Sequence, residues 1–164
     1  MAEIETQRLD GYRRLIDIAR DLASTLDLDE LLRRIVIAAA EITDAEAGSI
    51  LLYDSTARQL YFQVATNIDQ PTMRGLIVPL DGSIAGWIVT NRKTVRIDNA
   101  HKDPRFFADV EQTTGYPTQS LMGVPLITKE KVVGVLEVLN KSNGQFTDEN
   151  ENLLLVLAAQ AAVA

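Results

Sequence analysis

The segment Val132–Lys141, VVGVLEVLNK, holds four valines and a single acidic residue, Glu137, near its centre. This composition and length predict a strand buried on both faces. By strand alternation, Glu137 shares its face with three apolar residues, Val133, Val135 and Leu139. A carboxylate among apolar neighbours is costly unless it is paired or reached by water. We therefore expect this strand to border a cavity into which Glu137 points; the alternative is an edge strand with Glu137 in solvent.

Composition excludes several classes of function. The chain has 164 residues and is 46% hydrophobic, enough for one domain with a core. Its net charge of −7, without a Lys/Arg cluster, disfavours nucleic acid and anionic membranes as partners. No apolar run of membrane-spanning length occurs, and we expect a cytoplasmic protein. Cysteine is absent and His101 is the single histidine, which argues against disulfides, thiol catalysis and metal sites.

Residues 1–26 are expected to form an N-terminal signalling or dimerisation helix, with the main domain over 27–164. Apolar residues recur there at three- and four-residue steps: Leu9, Tyr12, Leu15, Ile18, Leu22 and Leu26. A narrow apolar stripe on a charged helix is typical of a dimer seam. The alternative, a helix packed on its own domain, remains open at this point.

The rest of the chain alternates strand and helix patterns. We predict helices over 28–43 after Asp27, from Ser83 to about 91, and from Thr147 to the chain end, with strands over 48–54, 59–66, 76–80, 95–98, 121–128 and 132–140. The amide groups at the start of the Ser83 helix could hold an anion, although Ser83 capping its own helix is the simpler interpretation. The final helix reaches Ala164 without a stop signal, so a longer parent protein is expected.

The segment from Asn99 to Gln119 has no strand pattern and is expected to be a lid. Asp103-Pro104 predicts a helix over 104–113, which would place Phe107, Glu111 and Thr114 on one face. Neither His101 with Asp103 nor the scattered glycines form a recognisable catalytic set. These features favour a binding module over an enzyme.

With these residues in view, the chain resembles a GAF domain, the small-molecule sensory module of many signalling proteins. The resemblance covers about residues 28–160 and rests on SIAGWIVTNRKTVRIDNA (83–100), DPRFF (103–107), TGYPTQSLMGVPL (114–126), VVGVLEVLNK (132–141) and FTDEN (146–150). It implies an α+β fold with an antiparallel sheet of five or six strands. The terminal helices and the 28–43 helix would cover one face, and the lid would cover a pocket on the other.

One branch of this family binds cyclic nucleotides in phosphodiesterases and adenylyl cyclases, and its pattern implies the ligand-binding residues of this chain. They are Ser49 on the first strand, the amides of Ile84 and Ala85 for the cyclic phosphate, Phe107, Glu111, Thr114 and Thr118 of the lid, and Glu137. The signature residues Asn140, Lys141 and Phe146 also match. Asn150 stands where the signature has Asp, and Ala65-Thr66-Asn67 replaces an aromatic-acid pair that contacts the base.

The resemblance implies a non-catalytic regulatory domain. It would bind a small molecule, with cAMP or cGMP as the leading candidates, and signal through its terminal helices in a homodimer to an effector such as a kinase, cyclase or phosphodiesterase. The alternative is a structural dimerisation module whose pocket is filled by Phe106, Phe107 and Tyr116. Some small GAF proteins reduce methionine sulfoxide with cysteines, which this chain lacks.

Overall fold

The computed structural model describes the backbone of residues 2–23 and 27–163, and the side chains of residues 7–20 and 27–163. The helices are α1 (Ala2–Ala23), α2 (Leu28–Ile42), α3 (Gln70–Arg74), α4 (Ile84–Asn91), α5 (Ala108–Thr114) and α6 (Asp148–Ala162). The strands are β1 (Ala45–Asp54), β2 (Gln59–Ala65), β3 (Ile77–Pro79), β4 (Val95–Ile97), β5 (Leu121–Thr128) and β6 (Lys131–Lys141). They form one antiparallel sheet in the order β3-β2-β1-β6-β5-β4.

Strand β6 lies at the centre of the sheet, between β1 and β5. Both of its edges are therefore hydrogen-bonded, which excludes the edge-strand alternative for Glu137. The expectation that Val133 shares the face of Glu137 is wrong. Leu126 pairs with Gly134 whereas Ile127 pairs with Val132, so Val133 is an extra residue in β6. Such a bulge reverses the facing of the residues before it, and Val133 packs on the opposite side of the sheet.

Helices α1, α2 and α6 cover one face of the sheet. Their apolar side chains, including Ile35 and Val36 of α2 and Leu154 of α6, are fully buried against Ile50 and Leu136 of the central strands. Burial of large aliphatic side chains is the main source of stability in such a layer. This is the α+β arrangement implied by the resemblance, with six strands.

Helix α1 packs on its own domain through part of the predicted stripe. Leu15 is 7% exposed and belongs to the core beneath α2 and α6, and Ile18 packs against that core. Leu9 and Ile16, in contrast, are 65% and 60% exposed. The side chains of Leu22 and Leu26 lie outside the described residues. The exposed apolar surface of α1 thus combines Leu9, which belongs to the predicted stripe, with Ile16, which does not. None of the helices described is long and apolar enough to cross a membrane.

The lid lies on the opposite face of the sheet with α4. Its helix begins at Ala108, four residues later than predicted. Asp103 does not cap this helix, because its carboxylate is already hydrogen-bonded to Arg105. The Asp103 carboxylate accepts hydrogen bonds from the backbone N–H of Arg105 and from its guanidinium, at 2.7 to 2.9 Å. Residues Ala100–Lys102 form a 3-10 turn before it.

Two further differences have local causes. Helix α3 is absent from the predicted elements, although Asp69 caps it and Pro71 lies in its first turn, which is a standard start signal. Strand β1 begins at Ala45, three residues before its predicted start, because it also pairs with the end of β6 through Lys141.

Candidate functional site

A cavity of about 70 Å³ lies between the sheet, the start of α4 and the lid. Its lining is largely apolar and includes aromatic side chains from β2 and from the lid. The eight residues implied by the resemblance all line it: Ser49, Ile84, Ala85, Phe107, Glu111, Thr114, Thr118 and Glu137. The structure thus brings together residues that are up to 88 positions apart in the sequence, from Ser49 to Glu137.

Ser49 and Glu137 form the polar floor of the cavity. They are direct partners in the β1–β6 ladder, and they are 1% and 7% exposed. The Ser49 hydroxyl has no hydrogen-bond partner. Burial, with no compensating hydrogen bond or charge, raises the pKa of Glu137 from 4.5 to about 7. Both groups therefore carry unused hydrogen-bonding capacity inside an apolar chamber, which is costly in a closed protein.

The first turn of α4 supplies the donors of the site. Ser83 Oγ accepts a hydrogen bond from Gly86 N at 2.9 Å and donates to Pro79 O at 2.6 Å. Ser83 therefore caps its own helix, which was the simpler of the two interpretations of this segment. The amides of Ile84 and Ala85 belong to the first turn and have no intrahelical acceptor. They lie at the positive end of the helix dipole, where an anion is favoured.

The position of that turn is fixed by Gly86. A Cβ at this residue would lie 1.8 Å from the carbonyl oxygen of Leu80, so only glycine permits the close approach. The start of α4 is thereby held against the loop that follows β3. This anchoring keeps the amides at the cavity wall.

Inside the lid, the polar groups already have partners. Glu111 Oε1 accepts a hydrogen bond from Thr118 N at 2.8 Å and lies 3.0 Å from His101 Nε2. The Thr114 hydroxyl donates to Val110 O at 2.8 Å. Glu111 and Thr114 therefore hold the lid together in this form. To contact a ligand, their side chains would have to exchange these partners.

The signature residue Asn140 ties the end of the lid to the sheet. Its side-chain oxygen accepts hydrogen bonds from Gln119 N at 2.7 Å and Ser120 N at 3.3 Å, and its amide nitrogen donates to Pro117 O at 2.9 Å. Asn140 has a φ of 61°, a left-handed conformation that asparagine tolerates well. Its role in this form is structural.

The other two signature residues are also structural here. Lys141 Nζ donates to Thr43 O at 2.7 Å, and burial lowers the pKa of this ammonium group. Phe146 is buried in the helix-side core. At the start of α6, Asn150 stands where the signature has Asp and completes a capping box with Thr147, so its amide caps the helix.

The start of the lid rests on α4. The Arg105 guanidinium, paired with Asp103, lies 4.6 Å from the ring centroid of Trp87. Trp87 is the single tryptophan of the chain. Its environment therefore depends on whether the lid is seated.

Sequence reasoning missed several lining residues. It named Asn67 only within a segment that departs from the family pattern, yet the Asn67 side chain lines the cavity and its oxygen is buried without a hydrogen-bond partner. Phe62 and Ile68, which it did not name, also line the cavity. The alternating pattern of β2 could have indicated Phe62, but nothing local marks Ile68, which follows the strand in an irregular loop.

The volume of the cavity shows whether the lid is open or closed. Ligand pockets usually measure about 300 to 1,000 Å³, whereas about 70 Å³ accommodates only a few water molecules. Phe106 and Phe107 of the lid pack with the apolar cluster on this side of the sheet. The lid is therefore closed, and a larger occupant requires it to move.

Comparison with known proteins gives consistent matches. The family model described as GAF domain matches residues 27–164. A probable 3',5'-cyclic phosphodiesterase of Caenorhabditis elegans is 28% identical over 92% of this chain and 22% of its own length. A cGMP-specific 3',5'-cyclic phosphodiesterase of Drosophila melanogaster is 28% identical over 83% of this chain and 13% of its own. The chain thus spans less than a quarter of the length of these relatives.

Solved structures show the same fold. The GAF domain of a phosphoenolpyruvate-protein phosphotransferase from Coxiella burnetii has a TM-score of 0.86 at 17% identity, covering 95% of this chain and 92% of that one. The corresponding domain from Acinetobacter has a TM-score of 0.79 at 26% identity, covering 95% and 90%. Free methionine-R-sulfoxide reductase from Neisseria meningitidis has a TM-score of 0.73 at 17% identity, covering 93% and 90%.

Proposed function

This chain belongs to the GAF domain family, and we propose that it is a non-catalytic sensory domain that binds a cyclic nucleotide beneath its lid. In this proposal, ligand binding changes the arrangement of the lid, and the terminal helices pass the change to an effector domain of the parent protein. The energy for signalling is the difference in ligand affinity between the closed and open arrangements.

The observation that carries the proposal is the set of unused polar groups around one cavity. Ser49 and Glu137 are buried without hydrogen-bond partners on its floor. The free amides of Ile84 and Ala85 lie at its wall, and such amides favour a phosphate. Groups of this kind are costly in an empty site and gain partners from a ligand with both anionic and hydrogen-bonding parts.

The likeness to cyclic-nucleotide phosphodiesterases supports the same ligand class. Those relatives are named for acting on 3',5'-cyclic nucleotides, and one is named cGMP-specific. This chain spans only a small part of these relatives, so their enzymatic activity is not assigned to it. Their names are a reason to test cyclic nucleotides as ligands.

A structural role is the second candidate, and one observation favours it. The cavity is small and the lid packs Phe106 and Phe107 into the apolar cluster on its side of the sheet. If this packing is permanent, the domain serves only to pair its parent proteins. The two candidates differ in whether the lid yields to a ligand.

Catalysis is not part of either proposal. The free methionine-R-sulfoxide reductases share this fold, but such activity in this family depends on cysteines, and the chain has none. Within the described residues, no three His, Asp or Glu side chains cluster in a way that would hold a metal ion.

Thermal unfolding in the presence of cAMP, cGMP and, as a control, AMP tests the proposal. A ligand at 100 times its Kd stabilises the folded protein by about 2.7 kcal/mol. For a chain of this size, that corresponds to a rise in Tm of roughly 5 to 10 °C. A rise with a cyclic nucleotide but not with AMP supports the sensory role. An unchanged Tm at millimolar concentrations of both cyclic nucleotides favours the structural role.

A further inference from the structure

The titratable groups that line the cavity are all acidic. They are the carboxylates of Glu111 in the lid and Glu137 on the floor, and the phenol of Tyr116, which donates to Glu46 Oε1 at 3.1 Å. Among the described residues that line the cavity, none is Lys, Arg or His. A bound anion would therefore meet backbone amides and hydroxyl groups, but no cationic side chain.

The sheet and α4 supply no counter-charge to Glu137. Its ladder partners are Ser49 on β1 and Gly123 on β5, and neither β5 nor α4 contains a titratable side chain. The charged residues of β1, Glu46 and Asp54, do not line the cavity, nor do the lysines at the two ends of β6. The carboxyl group is 7% exposed, and burial alone raises its pKa to about 7.

The basic residues of the lid do not change this. Arg105 forms an ion pair with Asp103 at 2.7 Å, and His101 Nε2 lies 3.0 Å from Glu111 Oε1. Lys102 is exposed. None of these three basic side chains lines the cavity, so Glu137 and a bound anion would share the chamber without a cation between them.

Resting on the proposed function, we propose that the site binds its anionic ligand together with one proton, which the Glu137 carboxylate takes up from solvent. An ionised carboxylate and a phosphate in one closed apolar chamber repel each other with little screening. Protonation removes the charge of Glu137 and gives it an O–H donor, which an oxygen of the ligand or of Ser49 can accept. The domain then responds to pH as well as to nucleotide, and acidification favours the bound state.

Proton linkage sets the size of the effect. With a pKa of about 7 in the unliganded protein, Glu137 is about one-tenth ionised at pH 6 and about nine-tenths ionised at pH 8. If only the protonated form accepts the anion, Kd should be about tenfold higher at pH 8 than at pH 6. Binding should take up about 0.9 proton per ligand at pH 8 and about 0.1 at pH 6.

Titration calorimetry of the unaltered protein with cAMP and with cGMP measures both quantities. Runs in two buffers of different ionisation enthalpy give the number of protons taken up, and the binding curves give Kd. The cyclic phosphodiester carries the same single charge at both pH values, so the ligand does not contribute. We expect the tenfold rise in Kd and proton uptake close to one at pH 8. A Kd that changes less than twofold, or binding at pH 8 without proton uptake, overturns the inference.

Three variants identify the group that takes up the proton. Glu137→Gln is uncharged at every pH, so its Kd should be the same at pH 6 and pH 8. Glu130→Gln removes an exposed carboxylate in the turn before β6 and should keep the tenfold dependence. His101→Gln removes a second group that can change charge in this range and should keep it as well. Loss of the dependence in His101→Gln would place the proton in the lid and contradict the assignment to Glu137.

The inference and the proposed function fail in different ways. If a cyclic nucleotide binds equally well at both pH values without proton uptake, the inference is wrong while the proposed function stands. If neither nucleotide binds at pH 6 or pH 8, the proposed function fails and the inference fails with it. The proton count on the unaltered protein decides between these results even if Glu137→Gln fails to fold, which thermal unfolding of the variant without ligand would reveal.

Discussion

At the scale of single residues, two buried serines should respond in opposite ways to replacement by alanine. Ser49 keeps an unpaired hydroxyl, whereas Ser83 has partners as both donor and acceptor. Ser49→Ala removes an unsatisfied group and should raise the free energy of unfolding by about 1 kcal/mol. Ser83→Ala removes a helix cap and should lower it by roughly 0.5–2 kcal/mol. Urea unfolding measures both, and a loss of stability in Ser49→Ala would show that its hydroxyl already has a partner.

Glu137 makes stability depend on pH in a defined direction. Its folded pKa of about 7 exceeds the ordinary 4.5, so the folded state binds more protons between these values. The stability gained from the protonated form is fully present below about pH 4.5 and is lost as pH rises through 7. Glu137→Gln cannot ionise and should exceed the unaltered protein in stability at pH 8, by on the order of 3 kcal/mol.

The matched control for that substitution is Glu130→Gln, since Glu130 is exposed in the turn before β6. Unfolding free energies of the three proteins between pH 5 and 8 should show a widening gap for Glu137→Gln alone. Parallel curves for the unaltered protein and Glu137→Gln would mean that the Glu137 carboxyl titrates normally, in contact with water.

At the scale of elements, the lid is held mainly at its ends. Asn140→Gly removes the side chain that binds residues 117–120 while permitting the positive φ of this position. Amide hydrogen exchange at Gln119 and Ser120 should become faster, while exchange within β5 and β6 stays slow. In the unaltered protein, residues 99–120 should exchange faster than 132–139. Equal protection of the lid and β6 would contradict this description of the lid.

Local sequence signals predicted most elements but not all of their limits. The alternating strands and the helix starts at Ser83 and Thr147 are local features, and the structure has them where they were expected. The start of α5 depends on the hydrogen bonds and ion pair between Asp103 and Arg105. The Val133 bulge depends on pairing between strands. The start of α5 and the bulge both depend on contacts in the folded protein that the sequence alone does not show.

The site was predictable only in part, for a similar reason. Its eight residues follow from the resemblance, and Glu137 follows from the pattern of its own strand. The buried, unpaired oxygen of Asn67 could not be predicted, because it depends on contacts in three dimensions. The closed volume is also a property of lid packing and has no signature in the sequence.

At the scale of the whole molecule, the proposed dimer should use the exposed side of α1. Leu9 and Ile16 are exposed, whereas Leu15 belongs to the core. Replacing Leu9 and Ile16 together by Glu should yield a stable monomer in sedimentation at micromolar concentration. Leu15→Glu should instead lower the free energy of unfolding by roughly 3 kcal/mol or more, because it buries a charge.

Ile77→Glu is the control for the dimer, since Ile77 is equally apolar and 53% exposed on the edge strand β3. It should leave the sedimentation coefficient unchanged. The dimer proposal fails for this chain if the unaltered protein is monomeric under the same conditions.

The central claim is that the lid covers a ligand-binding site, and equilibrium dialysis against labelled cAMP and cGMP tests it most directly. The claim predicts saturable binding of one nucleotide per chain. It also predicts a marked loss of affinity in Thr114→Trp, whose bulk would occupy the cavity from the partly exposed lid position of Thr114. Absence of saturable binding to the unaltered protein up to millimolar nucleotide, or equal binding by Thr114→Trp, would contradict it.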